Sequence, residues 1–73
     1  MERKYQEQFK VLGEKIRDLR KSKGLSQLDL ELESGINRTE ISRIENGIKN
    51  IELLTLFKIK DALKIEIHEL FVK

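Results

Sequence analysis

Residues 26–46 read Ser-Gln-Leu-Asp-Leu-Glu-Leu-Glu-Ser-Gly-Ile-Asn-Arg-Thr-Glu-Ile-Ser-Arg-Ile-Glu-Asn, and the fold turns on how the first half of that run is taken. Leu28, Leu30 and Leu32 alternate with Asp29, Glu31 and Glu33, which is the period-two pattern of a half-buried strand. Three features argue for a helix instead. Ser26 stands three residues before Asp29, an N-cap followed by an acid in the first turn. Most residues between them and Ser34-Gly35, where the run ends, are good helix formers. No other stretch of the chain alternates in the same way to offer a strand partner. The reading is a short helix over about 27–34. Gly35-Ile36 then forms a tight turn into Asn37, a strong N-cap. A second short helix follows, with Ile41 and Ile44 facing inward, until Asn46-Gly47 supplies a left-handed stop.

Working outward, Tyr5, Phe9, Leu12, Ile16 and Leu19 repeat at spacings of four and three, the stripe of one helix face. Gly24 closes that pattern after Arg20, Lys21 and Lys23, so a first helix is expected over about 5–22. Downstream, Leu53, Leu56, Ile59, Ala62 and Leu63 predict a fourth helix over about 51–63. Ile65, Ile67, Leu70 and Phe71 predict a short fifth helix packed on the rest. The expectation is one all-α domain over residues 1–73, a compact five-helix bundle, with no repeat or proline to interrupt it.

Seventy-three residues bury only about 60% of the surface of the unfolded chain, so stability is limited. The absence of cysteine rules out disulfides and thiolate metal sites, and His68 is the single histidine. No metal site and no cofactor are expected, and dimerisation is the expected source of extra stability. No run of eighteen apolar residues and no apolar stretch behind the basic N-terminus is present. These facts read as a soluble, cytoplasmic chain without membrane attachment. Charge is unevenly spread: residues 1–25 carry eight bases and four acids, whereas residues 26–35 carry three acids and no base. A basic first helix beside an acidic second one is not an all-round polyanion binder, so any nucleic-acid contact belongs to a limited face.

Two short helices joined by a glycine-containing turn inside a bundle are what a DNA-reading helix-turn-helix requires. The motif, about 26–46, resembles the Cro/C1-type (XRE-like) helix-turn-helix family. That family's Gln-x-x-x-Ala-x-x-x-Gly, followed by five residues and Ile, is matched by Gln27, Glu31, Gly35 and Ile41. The resemblance spans about residues 9–71, including Leu12-Gly13 to Arg20, Leu25-Ser26-Gln27, Ile41 to Gly47 and Ile65 to Phe71. It implies a lambda-repressor-like DNA-binding domain. The run Arg38 to Gly47, with Lys49-Asn50, looks most like controller proteins of restriction–modification systems. Two positions depart from the pattern: Glu31 where alanine is usual, and Lys60 where a small residue is usual. Both put the fine geometry of helix packing in question. The resemblance also implies that Arg20 and Glu45 form a structural ion pair between the first and third helices.

On the third helix, at about 100° per residue, Arg38, Ser42, Thr39 and Arg43 fall near 0°, 40°, 100° and 140°, and Ile41 and Ile44 near 300° and 240°. One face is core, and the other offers two guanidiniums and two hydroxyls suited to base edges. The plain alternative is a solvated helix face. Ser26 and Gln27 begin the second helix, where free amides suit a phosphate, although Ser26 also suits simple capping. Asn37, Asn46, Lys49 and Asn50 flank the third helix as further phosphate contacts. Ile67 is the expected centre of a two-fold dimer interface, with Phe71 or Val72 beside it, and Leu54 is the next candidate; the alternative is that Ile67 closes the core. Leu28 and Leu32, rimmed by Asp29 and Glu33, suggest a surface for another protein such as RNA polymerase, or else incidental exposure.

The functional expectation is a dimeric transcriptional repressor or activator on a palindromic double-stranded DNA operator, with no small-molecule ligand. An antitoxin-like module that neutralises a protein partner is the alternative, separable by co-purification. An enzyme lacks its parts: there is no nucleophile–base pair, phosphate-cradling loop or metal cluster in the sequence.

Overall fold

The structure, a computed structural model, describes residues 3–48 and 50–72. A 3-10 turn at Arg3–Tyr5 leads into α1 (Gln6–Ser22), followed by α2 (Gln27–Ser34), α3 (Arg38–Glu45) and α4 (Leu53–Leu63), with a second 3-10 turn at Ile67–Leu70. Among the described residues there is no strand.

The bounds of α2 follow from local chemistry. The Ser26 hydroxyl accepts the Asp29 N–H at 3.0 Å, and the Asp29 carboxylate accepts the Ser26 N–H at 2.8 Å. Those bonds hold the Asp29 carboxyl below its ordinary pKa. The stabilisation is present above the ordinary carboxylate range and is lost as acid protonates the folded form. At the far end Gly35 takes a left-handed φ of 76° and donates its N–H to the Glu31 carbonyl. The strand-like alternation is explained by rotation: leucines two apart lie about 200° around a helix, so only one can face inward. Leu30 is fully buried, whereas Leu28 and Leu32 are 48% and 74% exposed.

The expected five-helix bundle is four α-helices and a terminal 3-10 turn. Lys64 adopts a left-handed backbone and closes α4, and Glu66 is extended. The Glu69 carboxylate then accepts the Glu66 N–H at 2.7 Å around a four-residue turn, too short for an α-helix to propagate. The fourth helix starts at Leu53 instead of residue 51, because Glu52 is extended and Ile51 packs on the core from the loop.

Eight apolar residues form the core: Ile16 from α1, Leu30 from α2, Ile36 from the turn, Ile41 and Ile44 from α3, Ile59 and Leu63 from α4, and Leu70 from the tail. α1 crosses the end of α3 backbone to backbone. A Cβ at Gly13 would collide with the Ile44 carbonyl oxygen, and one at Gly47, which also has φ of 72°, would lie 2.5 Å from the Lys10 Cα. Glycine at these two positions lets the helices approach closely enough to share a buried ion pair.

Candidate nucleic-acid interface

That ion pair is the frame of the site. Arg20 on α1 grips Glu45, the last residue of α3, with two bonds: Nε to Oε2 at 2.7 Å and Nη2 to Oε1 at 3.0 Å. Arg20 and Glu45 are 6% and 2% exposed. A buried pair offsets its desolvation cost only if the remaining donors and acceptors are satisfied. Here the Arg20 Nη1 donates to the Leu25 carbonyl at 2.8 Å, and the Gln27 Nε2 donates to the Glu45 Oε1 at 3.1 Å. Among the described residues every buried side-chain nitrogen and oxygen has a partner. One network therefore joins α1, the α1–α2 loop, the start of α2 and the end of α3.

α3 sits on this frame with its inner face, Ile41, Ile44 and Glu45, buried. Its outer face gathers Arg38, Thr39, Ser42 and Arg43 with Gln27 around an open groove of about 400 Å³. Arg38, Thr39 and Arg43 are exposed and Ser42 is half-buried. Among the described residues no carboxylate is paired with either arginine, so both guanidiniums are free to meet an anion or a base edge.

The remaining site candidates divide by what already occupies them. Ser26 caps α2, and Asn37 caps α3 by accepting the Glu40 N–H at 3.0 Å, leaving their outward-facing hydrogens available. Gln27 spends one amide hydrogen on Glu45 and keeps the other. Asn46 and Asn50 are exposed beyond α3. Lys49 lies outside the described residues. At the C-terminal end Ile67 is half-buried against the core, while Phe71 and Val72 are 63% and 51% exposed. Phe71 and Val72 join Tyr5, Phe9, Val11 and Leu70 around an apolar groove of about 620 Å³. A second apolar surface is the outer side of α4, where Leu53, expected in the helix's apolar stripe, joins Leu54 and Phe57 at 62%, 59% and 41% exposed.

Both departures from the family pattern find partners. The Lys60 Nζ turns outward to Asp61 at 2.8 Å, which raises its pKa. The Glu31 carboxylate reaches across the turn and accepts the Arg38 N–H at 2.9 Å. Sequence reasoning missed this contact and the Gln27–Glu45 bond. The only signal for either was a polar residue at a helix–helix contact.

Two short helices held at a glycine turn, the second presenting free guanidiniums and hydroxyls opposite its buried face, define a DNA-reading helix-turn-helix. Known proteins agree. A family model described as helix-turn-helix matches residues 16–70. Control protein C.MunI from a Mycoplasma species is 43% identical over 60 residues, covering 81% of this chain and 81% of that protein. Control protein C.BamHI from Bacillus amyloliquefaciens is 39% identical over 61 residues, covering 82% and 75%. The crystal structure of the restriction-modification controller protein C.AhdI from Aeromonas hydrophila matches with a TM-score of 0.86 at 39% identity, covering 88% of this chain and 97% of that one. The chain belongs to the Cro/C1-type helix-turn-helix family of DNA-binding transcription regulators.

Removing one partner of the buried pair strands the other. Glu45→Ala is expected to lower unfolding stability by about 3–5 kcal/mol in urea denaturation. A midpoint equal to that of the parent protein would show that the pair contributes nothing to the fold.

Proposed function

We propose that this protein regulates transcription as a homodimer on a palindromic operator, each copy laying α3 in a major groove. Arg38, Thr39, Ser42 and Arg43 read base edges. Ser26, Gln27, Asn37, Asn46, Lys49 and Asn50 hold phosphates on either side and set the register. The observation that carries this reading is the division of α3: one face is committed to the core, and the other collects two unpaired arginines and two hydroxyls in one groove beside Gln27. The likeness to restriction–modification controller proteins supports a regulator of that kind. Its role is binding and not catalysis, in the cytoplasm; no helix of the described residues is long and apolar enough to cross a membrane.

A pair of copies is required because one eight-residue helix reaches too few base pairs to single out a genomic site. Symmetric dimers place their helices about 34 Å apart, one turn of DNA. A body of 31 × 25 × 20 Å, doubled side by side, is of that scale. The two copies meet through the C-terminal end, with Phe71 and Val72 in contact and Ile67 at the edge. An activating form meets RNA polymerase through the outward side of α2, where Leu28 and Leu32 lie beside Asp29 and Glu33.

Three measurements check these statements. With an operator selected from a random pool, Arg38→Ala or Arg43→Ala should each cost about 1–3 kcal/mol of operator binding and far less on random duplex. Equal losses on both would reduce the arginines to phosphate contacts. Phe71→Asp should give a folded monomer in sedimentation; a persistent dimer would move the interface to Leu54 and its neighbours on α4. Leu32→Ser should abolish activation in a transcription assay and leave DNA affinity unchanged, whereas loss of both would indicate a packing role.

A further inference from the structure

The two ends of α3 are held very differently. Its C-terminal end carries Ile44 and Glu45, both buried, and abuts Gly13 of α1. Its first turn, Arg38-Thr39-Glu40, contributes nothing to the core: Arg38 and Thr39 are exposed and Glu40 is half-buried. Yet Arg38 and Thr39 are two of the four residues assigned to base reading. The direction of that turn depends on polar contacts. Asn37 caps the Glu40 N–H, and Glu31 accepts the N–H of Arg38 itself. Glu31 acts twice in the motif, because its carbonyl also accepts the Gly35 N–H that ends α2 at 2.8 Å. One residue thus closes α2 and opens α3, and beside the Gln27–Glu45 bond it is a second direct polar link between them.

We propose that Glu31 is a positioning residue that sets the sequence specificity of DNA binding. Its hydrogen bond holds the first turn of α3 at the pitch from which Arg38 and Thr39 reach base edges. Its charge has a second effect. The amino end of a helix attracts phosphate through free N–H groups and a positive dipole. A carboxylate already bonded there occupies the first N–H and repels a DNA phosphate. The charge therefore weakens binding to every duplex alike, because phosphate contacts do not discriminate, and the hydrogen bond alone sets the ratio between sequences.

The inference rests on base reading by α3, and the variants separate the two ideas. Glu31→Gln keeps an acceptor of the same length and drops the charge. Glu31→Asp keeps the charge and is one methylene short of the Arg38 N–H. Glu31→Ala loses both. Each is measured for thermal unfolding and for affinity toward the selected operator and a random duplex of equal length. Glu31→Gln is expected to bind both duplexes more tightly and keep the parent's operator-to-random ratio. Glu31→Asp and Glu31→Ala are expected to lose about ten-fold of that ratio, within the span of one good base contact. Glu31→Ala alone of these two should gain affinity for random duplex. Retention of the parent ratio by folded Glu31→Asp and Glu31→Ala would overturn the positioning role. Equal loss in Glu31→Gln would overturn it as well, since charge and not the hydrogen bond would then be at work. A parent protein with no operator preference would instead overturn base reading, and this inference with it. If Glu31→Ala fails to fold, the comparison of Glu31→Gln with Glu31→Asp decides alone.

Discussion

The bidentate bond between Arg20 and Glu45 is the constraint on which the rest of the structure depends. Apolar packing alone fixes how near two helices lie and leaves their rotation loosely set. A planar guanidinium matched to a carboxylate fixes direction as well as distance. Here that bond runs from the third-last residue of α1 to the last residue of α3. Because the pair is buried, each remaining donor and acceptor needs a partner, and those partners come from the Leu25 carbonyl and the Gln27 amide. A requirement of solvation thus becomes a geometric one: the start of α2 is tied to the same carboxylate that ends α3.

Function follows from what this frame leaves free. Since core contacts and the ion pair occupy the inner face of α3, its outer residues have no structural duty. Arg38 and Arg43 keep unpaired guanidiniums, while Glu45 is engaged with Arg20 and Glu31 with a backbone amide. Gln27 stands at the junction, bonded inward to the frame and lining the groove with the α3 side chains. The phosphate contact proposed for Gln27 would be felt directly by Glu45 and would couple docking on the DNA backbone to the orientation of α3.

Local signals were the legible ones. The Ser26–Asp29 box, the Gly35 stop and the Asn37 cap set α2 and the start of α3 to the residue, and they outweighed the strand-like leucines. The helical angles separated Ile41 and Ile44 from the arginines without reference to any other element. Contacts between distant segments were not legible. The Arg20–Glu45 pair came from family likeness, since nothing in either residue's neighbours marks it as buried. Glu31 read as an intrusion at a helix contact, because sequence spacing does not show that its carboxylate arcs back to a free amide. The role of Gly13 depends on where α3 ends, at Glu45, thirty-two residues further along the chain, and local sequence does not show that approach. The fifth helix failed for a similar reason: its apolar spacing was right, but the left-handed Lys64 and the Glu66–Glu69 bond left room for only one 3-10 turn.

The central claim is that a frame fixed by the Arg20–Glu45 pair presents the outer face of α3 to DNA. Backbone amide NMR during titration with the selected operator tests it most directly. Shifts are expected to concentrate at Gln27 and at residues 38–43, with a perturbation at Glu45 transmitted through Gln27, and little change at Leu53, Leu54 and Phe57. Shifts centred on the groove around Tyr5, Val11 and Phe71, with residues 38–43 unmoved, would contradict it.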